Sequence, residues 1–345
     1  MDMPQDIAQF LDPPVDIPEI QRGNWFNLAP DDPVVTYLTQ ELWNQPQPAQ
    51  AWQTARLSGA VHLYRETASG WSIVAKFYRV KTGVKAQKYS AQEFNLNQQA
   101  CEIICQEDIE MRVIEPVALW RGVLFLEYAD GLTLEDVIAI RRSRPGSLLP
   151  NLKKAASFLA RLHVKGSQPD FPENFDDEIT QAEKIVNNLA EHGVLEHNPL
   201  LYQGLQRLIT KWSQHAPMRA YIPSFSHGDA TTSNFVFPWQ GGMVAIDWER
   251  AGYDDPAADL GRLMAEVAHS INQHGGSPEE AQPFIQAVQE AYLAGLPETW
   301  DPAALVERAH FHRAASTLRI ARNGWVSRLD RTALVAQAFS LLSEI

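Results

Sequence analysis

The fold of this chain is decided by two neighbouring segments, HGDATTSNFVF at residues 227–237 and IDWE at residues 246–249. They place Asn234 five residues after Asp229, and Asp247 thirteen residues after Asn234. Phosphoryl transfer from a magnesium nucleotide requires a base that orients the attacking hydroxyl and oxygen ligands that hold Mg²⁺ on the phosphates. The spacing therefore offers Asp229 as the base, and Asn234 and Asp247 as the metal ligands.

Both segments adjoin apolar residues that predict a β-hairpin. The sequences FVF at 235–237 and MVAI at 243–246 are rich in β-branched and aromatic residues, which favour buried strands. Gly241 and Gly242 lie between them and suit a turn. We therefore expect the candidate residues to lie in short loops beside a buried hairpin.

A third segment, DPAADL at 255–260, follows the first two. In this order the three segments resemble the motifs of the aminoglycoside phosphotransferase and choline kinase family, which shares the protein-kinase fold. The resemblance implies a two-lobed α+β fold, with a small antiparallel-sheet N-lobe that contains one helix and a larger, mainly helical C-lobe. It also implies ATP and Mg²⁺ as the cofactors, and transfer of the γ-phosphoryl group to a hydroxyl of a small molecule.

The implied domains are an N-terminal extension at residues 1–48, a nucleotide-binding N-lobe at 49–129 and a catalytic and acceptor-binding C-lobe at 130–345. Residues 1–20 are acidic and interrupted by proline, which is typical of a disordered tail. The sequence DDPVVTYL at 31–38 predicts one short helix, since an Asp precedes a Pro at the first helical position. The rest of the extension is expected to be irregular and packed on the N-lobe.

The N-lobe sequence changes from extended to helical patterns and back. Short runs of β-branched and aromatic residues are separated by turn residues, and one longer helical pattern interrupts them. The predicted order is three strands, one helix and two strands, at about Trp52–Leu57, Val61–Glu66, Trp71–Tyr78, Ser90–Cys105 (the helix), Val113–Trp120 and Val123–Glu127.

Lys76 ends an apolar strand, and a buried ammonium group requires a partner. The resemblance implies that this Lys binds the α- and β-phosphates and is held by a Glu of the following helix. Glu93 is the expected partner. Glu102 is the alternative, nine residues further along the chain.

Two backbone segments of the N-lobe are implied to contact the nucleotide. Ser58 and Gly59 would form the phosphate-facing loop, and because only one glycine is present, an ordinary hairpin turn is the alternative. The backbone of Glu127 and Ala129 would bond the adenine edge as a hinge, and the alternative is a plain edge strand.

The C-lobe sequence predicts helices with recognisable starts. Thr133 and Asp136 have the spacing of a capping box. Three Asn, Ser or Asp residues each precede a proline, as N-caps do, at Asn198, Ser277 and Asp301. A further helical pattern contains Leu152, Ala156, Leu159 and Leu162, with Gly166 as its end.

Several histidines and arginines are expected to be structural. The resemblance implies that His227 and Asp259 support the catalytic loop, and that His163 packs. His310 and His312 are two residues apart, so on a helix they would not share a metal. A solvated helix face is expected for Arg313, Arg319 and Arg322.

Acceptor recognition is expected from residues that follow the metal loop. Glu249, Asp254 and Asp255 could bind an ammonium group, and a cation–π wall could come from Trp248, Tyr253 and Trp325. Turn and core roles are the alternatives for these residues. Aminoglycosides, amino alcohols, sugars and nucleoside-like antibiotics all remain open as acceptors.

Composition excludes some classes of protein. The 345 residues are 45% hydrophobic, as in a globular protein with ordinary cores, and carry a formal charge of −13. That charge disfavours general binding to nucleic acid and slightly favours a cationic acceptor. No apolar run reaches the ~18 residues of a membrane span, and the N-terminus lacks a secretory pattern, so a cytoplasmic location is expected. Cys101 and Cys105 are expected to be small core residues of one helix.

Two other functions remain open. A protein Ser/Thr kinase is disfavoured because Trp248 and Glu249 follow Asp247, where such kinases have Phe-Gly. A nucleotide-binding scaffold without catalysis is favoured only by the glycine-poor loop.

Overall fold

The computed structural model describes residues 23–29, 31–42, 52–78, 83–104, 110–196 and 198–344. The chain divides into two compact units. Unit 1 contains the described residues up to Glu102 together with Val113–Ala129, and unit 2 contains those within Ile103–Arg112 and Asp130–Ile345. The predicted tail at residues 1–20 and Cys105 lie outside the described residues. The assignment of functions to residues 49–129 and 130–345 stays a prediction.

The described residues form strands and helices of both units, in an α+β arrangement. The strands are β1 (Trp25–Asn27), β2 (Trp52–Ser58), β3 (Val61–Glu66), β4 (Ser72–Phe77), β5 (Arg112–Val113), β6 (Pro116–Trp120), β7 (Val123–Glu127), β8 (Gly131–Thr133), β9 (Ser224–Ser226), β10 (Phe235–Pro238), β11 (Val244–Ala245) and β12 (Gly252–Asp254). The helices are α1 (Pro33–Tyr37), α2 (Gly83–Ile104), α3 (Leu134–Ala139), α4 (Leu148–Lys165), α5 (Phe175–Glu191), α6 (Pro199–Ser213), α7 (Pro256–Gln273), α8 (Pro278–Leu293), α9 (Pro302–Arg322) and α10 (Arg328–Leu342).

Unit 1 is built on an antiparallel sheet with the strand order β1-β2-β3-β4-β7-β6. The predicted order of strands, helix and strands is confirmed for this sheet, although α2 begins at Gly83, earlier than the expected Ser90. The strand expected at Val113–Trp120 is divided into β5 and β6, and only β6 belongs to this sheet. Apolar side chains from one face of the sheet pack against α1, because alternate strand residues point to the same side. Asp32 caps α1 as predicted, with its carboxylate accepting from Val34 N at 2.9 Å.

The expectation of an irregular extension around the short helix is wrong at β1. Trp25–Asn27 pairs antiparallel with β2, in the register Phe26 opposite Thr54. The three residues of β1 are exposed, so they lack the buried alternation by which strands are recognised in a sequence.

Unit 2 carries the predicted hairpin. Strands β10 and β11 pair antiparallel, with Phe235 opposite Ala245, and β8 adds to the other side of β10. Gly241 and Gly242 both have positive φ in the connecting turn, a conformation that glycine adopts without strain. The buried hairpin fixes the loops at both of its ends.

Four helices of unit 2, α3, α6, α8 and α9, begin where the sequence predicts. Asn198, Ser277 and Asp301 each accept a backbone N–H in the first turn of α6, α8 and α9. Thr133 and Asp136 form a full capping box at α3. Within the described residues, no helix combines the length and the apolar character needed to cross a membrane.

Candidate active site

The loop that carries Asp229 approaches the chain that follows the hairpin so closely that it requires a glycine. Gly228 has φ +74°, and a Cβ at this position would overlap the carbonyl oxygen of Arg250. Residues with a Cβ disfavour this backbone conformation, so both the steric overlap and the positive φ require glycine at position 228. Asp229 is held next to Arg250 as a result.

The side chain of Asp259, in the first turn of α7, binds backbone N–H groups of this loop. Its carboxylate accepts the N–H of His227 at 2.6 Å and the N–H of Gly228 at 3.0 Å. It also contacts His163 Nε2 at 3.1 Å, while His163 Nδ1 lies 2.7 Å from the hydroxyl of Tyr292. These contacts agree with the supporting role implied for Asp259. His163 was expected only to pack, but it also links Asp259 to Tyr292 through buried polar contacts.

His227 joins the catalytic loop to the loop that precedes Asp247. The ring is buried, its Nε2 lies 3.0 Å from the carbonyl oxygen of Ile246, and its Nδ1 accepts the N–H of Asp229 at 3.3 Å. Both ring nitrogens therefore form hydrogen bonds with backbone groups, and the ring proton lies on Nε2. This arrangement agrees with a structural role for His227.

Asn234 and Asp247 flank the hairpin on the same side as Asp229. The side-chain amide of Asn234 donates to the backbone oxygen of Asp229 at 2.8 Å, which directs its Oδ1 away from that contact. Ile246 N donates to Asn234 O at 3.0 Å. Asp247 has φ +67°, an uncommon conformation for a residue with a side chain. One amide oxygen and one carboxylate form a hard-oxygen donor set that fits Mg²⁺.

Three arginines converge on the carboxylate of Asp229. Arg319 Nη2 donates to Oδ1 at 2.6 Å, and Nη1 atoms of Arg250 and Arg262 lie 3.4 and 3.5 Å from the same oxygen. Burial acts to raise the pKa of Asp229, but the positive charges of Arg319, Arg262 and Arg250 outweigh it and leave the pKa below its ordinary value. Asp229 is accordingly an ionised carboxylate. All three arginine contacts are made to Oδ1.

The expectation of a solvated arginine face on α9 is wrong for two of its three members. Arg319 is largely covered and bonded to Asp229, 90 residues away in sequence. Arg313 is partly buried, and this burial lowers its pKa. Arg322 is exposed as expected.

A cavity of about 410 Å³ lies in front of Asp229, wholly within unit 2. Asp229, Asn234 and Asp247 line it together, as do residues from α3, α7, α9 and the segment after α9. These further lining residues are Glu135, Thr231, Thr232, Ser233, Arg250, Glu266, His269, Ser270, Gln273, Arg319, Ile320, Arg322, Asn323 and Trp325. The sequence offered no local signal for most of these residues, because they come from elements far apart in the chain.

Asp255, an expected acceptor contact, has a structural place instead. It is 1% exposed and caps α7 by accepting the N–H of Ala257 at 3.0 Å. Its Oδ2 accepts from Arg308 Nε at 2.9 Å and lies 3.3 Å from His312 Nε2. Burial acts to raise the pKa of Asp255, but His312 and Arg308 hold it low. We therefore leave Asp255 out of the acceptor site.

The other expected acceptor residues lie in different surroundings. Asp254 is in β12, and burial followed by repulsion from Glu178 raises its pKa to about 7. Glu249 Oε1 lies 3.9 Å from Arg250 Nε. Of the three aromatic residues, Trp248 is core, Tyr253 stacks on Phe171, and Trp325 is 68% exposed and lines the cavity.

In unit 1, Lys76 forms an ion pair with the buried Glu93. Lys76 Nζ lies 2.8 Å from Glu93 Oε2 and 3.1 Å from Oε1, and the hydroxyl of Tyr78 also donates to Glu93. Glu102, the alternative partner, is exposed. The partner of Lys76 is therefore Glu93, as the sequence analysis expects.

The expected nucleotide-contacting backbone of unit 1 lies at two strand ends. Ser58 and Gly59 are exposed at the turn between β2 and β3, where Gly59 has φ +33°. Glu127 ends β7, and its N–H donates to Glu115 O at 3.0 Å. Ala129 is two residues further along the chain.

Comparisons with known proteins agree with these features. A sequence model described as the phosphotransferase enzyme family matches residues 57–306. A comparison with curated proteins gives no significant sequence match. Among solved structures, an ADP-bound aminoglycoside phosphotransferase, APH(2'')-Ib, is 14% identical, with a TM-score of 0.57 over 90% of this chain and 97% of its own.

Two further structures extend the likeness to other enzymes. An ethanolamine kinase from Plasmodium vivax is 12% identical, with a TM-score of 0.55 over 88% of this chain and 87% of its own. The choline kinase LicA from Streptococcus pneumoniae is 15% identical, with a TM-score of 0.54 over 89% and 97%. At such identities the likeness shows the fold, and it confirms the expected two-lobed, protein-kinase-like α+β fold.

Proposed function

This chain belongs to the phosphotransferase enzyme family, and from that premise we propose that it transfers the γ-phosphoryl group of ATP to a hydroxyl of a small molecule. One observation carries the proposal. Asp229, Asn234 and Asp247, the residues that the sequence spacing singled out, line a single cavity. A base and a pair of oxygen ligands beside one cavity are what phosphoryl transfer requires.

Asp229 would orient the acceptor hydroxyl through Oδ2. In the reaction, the acceptor oxygen forms a bond to the γ-phosphorus while the bond from that phosphorus to the β–γ bridging oxygen breaks. The hydroxyl proton passes to Asp229, and ADP leaves with the bridging oxygen. Because the arginines lower the pKa of Asp229, the carboxylate is a weak base, and orientation is the larger part of its contribution.

The remaining groups would hold the nucleotide. Asn234 Oδ1 and the carboxylate of Asp247 fit the metal, and Mg²⁺ when bound neutralises charge on the phosphates. Lys76, held in place by Glu93, would contact the α- and β-phosphates. Ser58 and Gly59 are proposed phosphate contacts.

The adenine edge would be read by backbone groups of unit 1. The N–H of Glu127 is already bonded to Glu115 O. We therefore assign adenine recognition to the carbonyl of Glu127 and the N–H of Ala129.

Small hydroxylated molecules are the acceptors that the family suggests. The solved relatives are named for aminoglycosides, ethanolamine and choline, and the cavity of about 410 Å³ has a size suited to such compounds. A sugar or similar polyol also remains within the proposal. Of the residues first expected to recognise the acceptor, Glu249 and Asp254 stay as candidates, although neither lines the cavity.

The proposal is tested by ADP release with Mg-ATP over a panel of aminoglycosides, amino alcohols, sugars and nucleosides. Wild type should turn over at least one acceptor class, and Asp229→Asn should lower kcat about a hundredfold or more because the hydroxyl loses its orienting carboxylate. Asp170→Asn, which changes an exposed Asp outside the cavity, is the matched control and should leave the rate unchanged. An Asp229→Asn rate within a few-fold of wild type would contradict the proposed base.

A further inference from the structure

One face of α7 presents a row of polar side chains to the cavity. Glu266, His269, Ser270 and Gln273 have the spacing i, i+3, i+4 and i+7, which places them on one side of a helix. The row starts one turn beyond Arg262, which contacts Asp229. The face therefore forms one wall of the space into which an acceptor hydroxyl must enter.

Two members of this row are buried without a hydrogen-bond partner. His269 Nε2 and Ser270 Oγ have none among the described residues, although the two side chains are only 7% and 2% exposed. Burial lowers the pKa of His269, so the ring is neutral and keeps one donor and one acceptor nitrogen. Buried polar atoms are rarely left unsatisfied in folded proteins, because losing water without gaining another partner is unfavourable. Their position in the cavity wall points to hydroxyl groups of a ligand.

Arginines gather around Asp229 at the reactive end of the cavity. Arg250, Arg262 and Arg319 share the single carboxylate of Asp229, and the cavity lining itself contains Arg250, Arg319 and Arg322. Burial lowers the pKa of Arg262, and repulsion by Arg319 lowers it further. Like charges gathered at one point are relieved by an anion, and guanidinium groups bind planar carboxylates and phosphates through paired hydrogen bonds.

Four acidic residues line the same cavity, Asp229, Asp247, Glu135 and Glu266, and Asp247 is a proposed magnesium ligand. Glu135 is engaged by the hydroxyl of Thr232 at 2.6 Å and by His274 Nε2 at 2.9 Å. Burial raises the pKa of Glu266 to about 7, so a large fraction of this side chain is neutral at neutral pH. The formal charge of −13 belongs to the whole surface, and interactions between exposed charges are screened over ~8 Å at physiological ionic strength.

From this geometry we infer that the acceptor is a small hydroxylated anion, with its carboxylate or phosphate bound by Arg319 and Arg322 and its hydroxyls bound by His269 and Ser270. The inference rests on the proposed function, because only a phosphotransferase has an acceptor. The binding that it predicts can be measured without any phosphoryl transfer. It reverses the expectation of a cationic acceptor, because an ammonium group would meet arginines beside Asp229. Trp325, whose ring lies 5.9 Å from that of His269, supplies an apolar side to the same wall.

The test uses four probes on one three-carbon skeleton: glycerol, glycerate, glycerol 3-phosphate and 3-amino-1,2-propanediol. They share adjacent hydroxyls and differ mainly in charge. Binding to the full chain is measured by calorimetry without nucleotide, so the result does not depend on turnover. At least one anion should bind about tenfold or more tightly than glycerol, as expected of charge-assisted hydrogen bonds. The amine should bind most weakly, and the two anions distinguish carboxylate from phosphate recognition.

Variants separate local recognition from net charge. Arg322→Gln should weaken binding of the preferred anion about tenfold and leave glycerol unchanged, since this exposed side chain can be replaced without disturbing a core. Arg328→Gln removes the same charge from an exposed position outside the cavity and should change neither affinity. Ser270→Ala should weaken all hydroxylated probes.

Four results would overturn the inference. These are tightest binding of the amine, equal affinity for all four probes, and no detectable binding of either anion. The fourth is an Arg322→Gln variant that weakens ATP binding and leaves anion binding intact, because the arginines would then serve the nucleotide. Failure of the ADP-release assay alone would instead count against the proposed function.

Discussion

At the scale of single residues, Gly228 shows how backbone shape fixes the position of Asp229. Gly228→Ala would place a Cβ against Arg250 O at positive φ. We expect the free energy of unfolding to fall by several kcal/mol, measured by urea denaturation. Gly252→Ala, two residues beyond Arg250 and with open space at the Cβ position, is the control. Equal stability of the two variants would show that the loop can move away from Arg250 and accommodate a Cβ at position 228.

Glu266 gives a pH dependence of stability with a defined sign. Its pKa is about 7 in the folded protein against an ordinary 4.5, chiefly through burial, with Arg319, Arg262, Asp229 and Glu135 as the neighbouring charges. Between these values the folded state binds a proton that the unfolded chain has released, so this group's contribution to stability is full below about pH 4.5 and is lost as pH rises through 7.

The difference in stability between pH 5 and pH 8 should therefore be larger in wild type than in Glu266→Gln, by at most about 3 kcal/mol. Thermal and urea unfolding of both proteins across this range measure the difference. Parallel pH profiles for the two proteins would show that Glu266 titrates normally in the folded state.

The sequence predicts some site residues far better than others, for a physical reason. Asp229, Asn234 and Asp247 lie within 19 residues of one another around a hairpin, so their spacing alone brings them together. Arg319 approaches from 90 residues away in sequence, and its contact with Asp229 depends on how α7 and α9 pack. Such a contact leaves no local pattern in the chain.

At the scale of helices and strands, two N-caps of the same type should differ in importance. Asp301→Ala at α9 removes an exposed cap and should cost about 1 kcal/mol. Asp255→Ala at α7 also leaves buried Arg308 and His312 without their carboxylate, which should cost about 3–5 kcal/mol. Urea denaturation of both variants measures the ratio. Equal losses would mean that the buried ion pair adds nothing to the cap.

Helix starts were predictable from sequence because capping chemistry is local. An Asn, Ser or Asp before a proline both supplies the cap and presets the first helical turn, and this held at α6, α8 and α9. Strand β1 has no comparable local signal, because its pairing with β2 involves residues about 28 positions apart and its exposed side chains carry no burial pattern.

At the scale of the whole molecule, the formal charge does not describe the surroundings of Asp229. A chain of charge −13 gathers three arginines around Asp229. Opposite charges elsewhere on the surface are screened from a cavity of this size. Local charge in the cavity should accordingly decide which acceptors bind.

The central claim, phosphoryl transfer to a small-molecule hydroxyl through Asp229, is tested most directly by the phosphorus NMR spectrum of the reaction products. With Mg-ATP and the acceptor that gives the highest rate of ADP release, wild type should produce one new phosphate monoester for each ADP. Asp229→Asn should produce almost none. Inorganic phosphate as the sole new product, or the same monoester at a similar rate from Asp229→Asn, would contradict the account.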